Sequence, residues 1–270
     1  MLFRFWGKKL FEQGSGGQMR GKLLEGQNVL ITGAGQNIGR SIALEMAGQG
    51  ANIFFTDIHE KRGRKLEKQL NQFEVTAKWF HSDVSRTEDI EELGKAVSRE
   101  QREIHILVNN VSTQVWPSPI RDVSKEEFPK IFGTNVFGPV YLTKIISQMM
   151  IEKQTQGSIL FLTSIHQDTL NGAASYSASK AALSMVIKEL AMELAPFHIR
   201  VNGIRPGAVW EDKDGSPRQH KPTPLHETTI NPCYIGRAAV FLASDYFSKF
   251  TTGTVLTVDG GISLHSYMTL

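Results

Sequence analysis

With 270 residues, 40% of them hydrophobic, the chain is long enough for one α/β domain with a substantial core. Its 30 basic and 27 acidic side chains leave a net charge of +3, too small and too scattered to argue for a nucleic-acid-binding surface. The single cysteine, Cys233, excludes an internal disulfide and suits a reducing, cytoplasmic setting; no stretch approaches the ~20 apolar residues of a membrane span, and the histidines show no metal-ligand spacing.

Residues 1–22 stand outside the periodic part of the chain. Leu2, Phe3, Phe5, Trp6, Leu10 and Phe11 mix with Arg4, Lys8 and Lys9, and Gly14-Ser-Gly-Gly17 follows like a flexible linker. The segment lacks the apolar core and cleavage site of a secretory signal. A flexible tail, or an upstream start with Met19 as the first residue, is preferred over a segment that touches a membrane surface or a partner. From residue 23 to 270 the pattern is that of one catalytic-sized domain. Strands are expected at 28–32, 52–56, 78–82, 105–109, 158–163, 199–204 and 254–258, most of them apolar and β-branched. Helices are expected near 38–49, 60–72, 87–102, 124–152, 174–195 and 231–244, with Pro196 ending the fifth. This alternation implies an α/β fold, a doubly wound parallel sheet of about seven strands, with its ligand crevice at the strand C-termini.

Two motifs carry the chemistry. Asn28 to Thr32 (NVLIT) runs directly into Gly33-Ala-Gly-Gln-Asn-Ile-Gly39, and a helical pattern with Ile42, Ala43, Met46 and Ala47 follows. A strand, a glycine-rich turn and a helix in that order form a dinucleotide site: glycines let the backbone approach the pyrophosphate, and the helix N-terminus offers unpaired N–H groups. The second motif is Tyr176-Ser-Ala-Ser-Lys180, which places a phenol and an ammonium on one helical face. A neighbouring ammonium favours a phenolate, so such a pair can move a proton to or from an alcohol or carbonyl at working pH.

Together these motifs make the chain resemble the short-chain dehydrogenase/reductase family, over about 24–262. That family's Thr-Gly-x-x-x-Gly-x-Gly pattern is met by Thr32, Gly33 and Gly39, with Asn37 in place of the middle glycine. Asn is the side chain that best tolerates the positive φ expected there. Asp83-Val84 is similar to the family's adenine-contacting pair, Asn109-Asn110-Val111-Ser112 to its Asn-Asn-Ala-Gly, and Arg205-Pro206-Gly207 to its Pro-Gly turn. Asp259-Gly260-Gly261 resembles its C-terminal signature. The resemblance implies a single-domain Rossmann fold and a cofactor site of Gly33, Gln36, Asn37, Ile38, Gly39, Asp57, Asp83, Val84, Asn110, Tyr176, Lys180, Pro206, Gly207 and Val209. Asp57 closes the second strand, where an acid would bond a ribose 2′-hydroxyl and repel a 2′-phosphate. NAD is therefore expected over NADP.

The resemblance also implies the catalytic roles. Tyr176 would be the general acid/base, Lys180 would tune it and bond the nicotinamide ribose, and Ser164 would donate to the substrate oxygen. Asn135 would hold a water that relays protons between Lys180 and solvent. Ser164 precedes Tyr176 by one residue fewer than is common in the family, which bears on pocket shape. Substrate lining is expected from Ser164, Tyr176, His166 and Gln114, with Gln167, Trp116 and Trp210 as further candidates. Residues 208–231 contain Pro217, Pro222 and Pro224 and no periodicity, and are expected to form a lid. Glu211-Asp212 stands where the family has a Thr that meets the cofactor carboxamide. The expected activity is hydride transfer between NAD(H) and a secondary alcohol or ketone, the substrate being a small, polar, sugar- or polyol-like molecule. A 3-oxoacyl thioester reductase and a non-catalytic NAD-binding redox sensor are the alternatives. A homo-oligomer, tetramer or dimer, is expected from the family, with residues after Gly261 packing across the interface.

Overall fold

The computed structural model describes residues 21–100, 103–210 and 223–264. Seven parallel strands form one sheet: β1 (Asn28–Ile31), β2 (Asn52–Thr56), β3 (Ala77–Phe80), β4 (Ile106–Asn109), β5 (Ser158–Leu162), β6 (Arg200–Pro206) and β7 (Val255–Val258). Their spatial order is β3-β2-β1-β4-β5-β6-β7. Chain order therefore reverses between β1 and β4, and ligands of such sheets bind at the carboxyl end of that switch point. The strands match the expected positions to within two residues at either end.

Because strand side chains alternate, the sheet feeds two separate cores. Val29, Ile31, Ile53, Phe55, Ile106 and Val108 face α1 (Asn37–Gly48), α2 (Glu60–Leu70) and α7 (Pro232–Ala243), meeting Ile42, Met46, Leu66 and Ile235. On the other face Leu30, Phe54, Leu107, Ile159 and Phe161 meet α3 (Thr87–Arg99), α5 (Gly138–Glu152) and α6 (Ala174–Leu194) through Ile90, Leu93, Ile146, Leu183 and Ile187. The central strands are buried along their whole length, whereas β3 and β7, at the edges, are only partly covered. A short α8 (Asp245–Ser248) follows α7.

One expected element is corrected. The helix expected over 124–152 is three pieces: α4 (Glu127–Phe132), a π-turn at Gly133–Phe137, and α5. Pro139 explains the break, since it cannot offer the N–H that an uninterrupted helix would give to the Asn135 carbonyl. Gly138 N instead donates to the Gly133 carbonyl, five residues back. A Cβ at Gly138 would collide with the Val84 carbonyl, so glycine there allows α5 to start directly beneath the loop after β3. The widened turn carries Asn135, buried, towards the strand ends. The tail of residues 1–20, most of the expected lid (211–222, including Glu211-Asp212) and residues 265–270 lie outside the described residues.

Candidate active site

The glycine turn is held from three sides. Thr32 Oγ1 accepts from Asn110 N (3.0 Å) and Val111 N (3.3 Å). Asn110 Nδ2 donates to the carbonyls of Thr32 and Gly33, each at 3.0 Å. Asp57, buried at the end of β2, accepts from Gly35 N at 3.0 Å and His59 N at 2.8 Å, one bond to each carboxylate oxygen. Gly33 has φ +63° and Asn37 φ +48°, so Asn37 adopts the positive φ expected of it. A Cβ at Gly39 would lie 2.5 Å from both Asn110 Nδ2 and the Gly33 carbonyl, so only glycine lets α1 begin that close to the turn.

Over this turn lies a cleft of about 520 Å³ lined by Gly33, Gln36, Asn37, Ile38, Gly39, Asp57, Asp83, Val84 and Asn110. The Gln36 side chain makes no capping bond to α1, and the first turn of α1 holds no acidic residue. The leading N–H groups of α1 therefore face the cleft without a side-chain acceptor, which fits the pyrophosphate of a dinucleotide. Val111 and Ser112 of the Asn109–Ser112 stretch also line it, as do Ile58 and Arg62 just after β2; His59, Ser82, Ser85, Thr113, Lys130 and Thr134 line it too and were not singled out from sequence. Lys130 and Thr134 stand five residues and one residue before Asn135, so helical spacing gave no signal for them. Asp83 Oδ1 accepts from Ser85 N and Oγ, at 2.9 and 2.7 Å, which fixes the loop carrying Val84.

The residues expected to be catalytic lie on α6, on the π-turn and just after β5. On α6, Tyr176, Ser179, Lys180, Leu183 and Ile187 form one buried stripe, and Ser175 Oγ anchors the helix start to Glu127 Oε1 at 2.6 Å. Tyr176 is buried; Gln114 Nε2 donates to its hydroxyl at 3.3 Å, and the His166 ring meets its ring edge-on at 6.3 Å. Lys180 is fully enclosed. Its Nζ donates to the Leu162 carbonyl at 2.9 Å and lies 5.7 Å from the Tyr176 ring centre. Burial pushes its pKa down from 10.5 to about 7. Ser164 Oγ accepts from His166 N at 3.2 Å, capping a single turn of 3₁₀ helix, Ile165–Gln167.

Asn135 faces the backbone of Thr113. Its Oδ1 accepts from Thr113 N at 2.8 Å, and its Nδ2 donates to the Thr113 carbonyl and to Ser179 Oγ, both at 3.0 Å. Ser179 Oγ in turn donates to the Tyr176 carbonyl at 2.7 Å. Ser179 escaped the sequence reading although it lies three residues from Tyr176, on the same helical face. Pro206 ends β6, and Gly207 and Val209 follow it: Gly207 N donates to the Val258 carbonyl at 3.0 Å, and Val209 pairs with Ile230. Like Tyr176 and Lys180, they are not among the residues lining the cleft over the glycine turn. Trp116 and Leu170 project outward, 90% and 99% exposed, from two loops joined by a bond from Ser118 N to the Gly172 carbonyl.

A family model described as enoyl-(acyl carrier protein) reductase matches residues 33–263. The 7α-hydroxysteroid dehydrogenase of Escherichia coli K12 is 32% identical over 245 residues, 88% of this chain and 94% of that protein. The chain belongs to the short-chain dehydrogenase/reductase family. Glucose 1-dehydrogenase of Gluconobacter oxydans is 31% identical over 258 residues, 89% of this chain and 93% of that protein. The crystal structure of acetoin dehydrogenase from Salmonella typhimurium superposes with a TM-score of 0.83 at 29% identity, covering 90% of this chain and 98% of that one. These relatives act on alcohols and sugars, and the seven-stranded parallel sheet with helices on both faces is the fold this family shares. Among the described residues no helix is long and apolar enough to cross a membrane.

Proposed function

We propose that this short-chain dehydrogenase/reductase transfers a hydride between NAD(H) and a secondary alcohol or ketone, with a small polar substrate. The observation that carries the reading is the buried Tyr176–Lys180 pair on α6, with Gln114 donating to the Tyr176 hydroxyl. The turn from Gly33 to Gly39, Asp57, Asp83, Val84 and Asn110 would hold the dinucleotide, whose nicotinamide would supply or accept the hydride. Tyr176 takes the alcohol proton in oxidation and returns it to the carbonyl oxygen in reduction. The Ser164 hydroxyl is the second donor to that oxygen as charge develops on it. Lys180, neutral or charged near pH 7, passes the proton onward. Both hydrogens of the Asn135 amide are committed, so we assign the relaying water to the Asn135 main-chain carbonyl, which Pro139 deprives of its usual donor.

Asp57 supports NAD over NADP by its place in the cleft, a buried carboxylate where a 2′-phosphate would meet negative charge. Gln114 and His166 beside Tyr176 support a hydroxylated substrate. Exposed Trp116 and Leu170 favour a second reading, an alicyclic alcohol with an apolar body gripped at the rim. We further propose a homo-oligomer in which Tyr234, Phe241, Tyr246 and Phe247, exposed together on α7 and α8, are covered by another copy. A monomeric mass by light scattering overturns that assignment.

The test of the activity is NAD⁺ and NADP⁺ reduction by wild type and Tyr176→Phe over sugars, polyols, acetoin, cyclic alcohols, hydroxysteroids and 3-hydroxyacyl thioesters. Tyr176-dependent turnover with NAD⁺ and a polyol supports the first reading, and turnover confined to cyclic alcohols or steroids supports the second. Preference for NADP⁺ refutes the role given to Asp57. A folded protein that binds NADH and turns over nothing favours a redox sensor.

A further inference from the structure

Gln114 donates to the hydroxyl of Tyr176, its Nε2 standing 3.3 Å away. Gln114 directly follows Thr113, the residue whose N–H and carbonyl are both gripped by Asn135. Asn135 is bonded through Ser179 Oγ to the Tyr176 carbonyl. These contacts close a ring: Tyr176 hydroxyl, Gln114, the Thr113 backbone, Asn135, Ser179, and back to Tyr176. The ring fixes the Gln114 amide relative to the phenol from both ends of the same tyrosine.

We propose that Gln114 is a positioning residue for Tyr176: its amide donates to the phenolic oxygen, steering the phenol's own proton towards the substrate and stabilising the phenolate once that proton has gone. This rests on the general acid/base role proposed for Tyr176. In ketone reduction the phenolic O–H bond breaks, a new O–H bond forms on the substrate, and the charge left on the phenolate is met by the Gln114 N–H. Oxidation runs the same transfer in reverse.

Among the described residues, the other polar groups around Tyr176 are engaged with partners of their own. Lys180 Nζ is turned to the Leu162 carbonyl, and with its pKa depressed to about 7 by burial it loses its charge as the pH rises through neutrality. His166 presents its ring to the Tyr176 ring edge-on and holds Thr169 Oγ1 at 3.3 Å from Nδ1. Glu127, the nearest acid on α4, is engaged with Ser175. An amide does not titrate, so its help is the same across the working range.

The experiment compares wild type with Gln114→Leu and Gln114→Glu by two readouts. The first is the pH profile of kcat/KM for alcohol oxidation with the best substrate of the panel. The second is the pH dependence of near-ultraviolet tyrosinate absorbance, each protein being read against its own Tyr176→Phe counterpart to isolate one of the chain's 5 tyrosines. Loss of a hydrogen bond to a charged oxygen predicts a fall of roughly tenfold to a hundredfold in kcat/KM at neutral pH for Gln114→Leu, recovered as pH rises. Both the acid limb and the absorbance change should move to higher pH, furthest for Gln114→Glu, which adds a negative charge beside the phenol. If kcat/KM falls equally at every pH, or only KM rises while the tyrosinate absorbance stays put, Gln114 is mere pocket lining and the inference is overturned. Far-ultraviolet circular dichroism and NADH binding check the fold; if the leucine variant does not fold, Gln114→Asn, which withdraws the amide by one methylene, takes its place under the same criteria. The absorbance readout needs no substrate, so it judges Gln114 even if no panel compound turns over.

Discussion

The two halves of the strand-end crevice use polar side chains in opposite ways. Around the glycine turn, Thr32, Asp57 and Asn110 spend their hydrogen-bonding capacity on backbone groups, locking a shape that the cofactor would then meet mainly through the main chain. Around Tyr176, among the described residues, Gln114 gives the phenol one long bond and Lys180 Nζ donates to one carbonyl, so both keep capacity for a substrate or proton. On the proposed function, the first half would serve as scaffold and the second would carry the chemistry. Substitutions should accordingly affect stability and cofactor affinity in the first half, and rate in the second.

The largest expected effect is in the catalytic half. Tyr176→Phe keeps the ring contact with His166 and removes the proton carrier, so kcat should fall by about 10²–10⁴-fold with NADH affinity and thermal stability nearly unchanged. Steady-state kinetics beside a melting curve decide this; a variant retaining most of its activity would remove Tyr176 from the mechanism. Ser164→Ala should cost about 10²–10³-fold in kcat, as for other donors to a developing oxyanion. An unchanged kcat would leave Ser164 with only its capping bond to His166 N.

Lys180→Met sharpens the comparison, because here catalysis and stability pull apart. Burial holds the Lys180 pKa at about 7 against its ordinary 10.5, so between those values the unfolded chain binds more protons than the folded one. Stability from this group therefore rises with pH across that window and is lowest at and below neutrality. Methionine has no such burden. The melting temperature of Lys180→Met relative to wild type should be highest near pH 7 and fall as the pH approaches 10.5, while activity is lost throughout. A difference that does not vary with pH would mean that the amine is solvated.

Smaller effects belong to the scaffold half. Gly39→Ala places a methyl against Asn110 Nδ2 and the Gly33 carbonyl, so about 1–3 kcal/mol of stability should be lost in denaturant titration, and NADH affinity with it. Asn37→Gly should change stability by less than about 1 kcal/mol, because glycine takes the same positive φ without strain. A loss well beyond that would show that the Asn37 side chain itself contributes to the turn.

Much of this was legible in the chain because it is local. Buried parallel strands read as continuous apolar runs, and glycine after a strand reads as a turn, so β1, the turn at Gly33–Gly39 and α1 need only neighbouring residues to be recognised. The i, i+4 relation of Tyr176 and Lys180 is likewise local to one helix. Asn135 was recognised by its likeness to a family motif, but the π-turn that carries it was missed, because Pro139 and Gly138 act through carbonyls that a periodicity count ignores. The substrate side was the least legible. Gln114 and His166 come from loops after two different strands, and no spacing in the sequence brings either to the Tyr176 ring.

By itself, then, the sequence determined the order of strands and helices, the glycine turn, and the shared helical face of Tyr176 and Lys180. Each of these follows from short-range periodicity and backbone freedom. Tertiary structure alone decided that Asn110 and Asp57 lock the turn, that Asn135 grips Thr113, and that Gln114 reaches the phenol. Those pairings span 22 residues from Asn135 to Thr113 and 62 from Gln114 to Tyr176, and they depend on the adjacent placement of β2, β1, β4 and β5 in the sheet, with the π-turn and α6 packed beside the loop after β4.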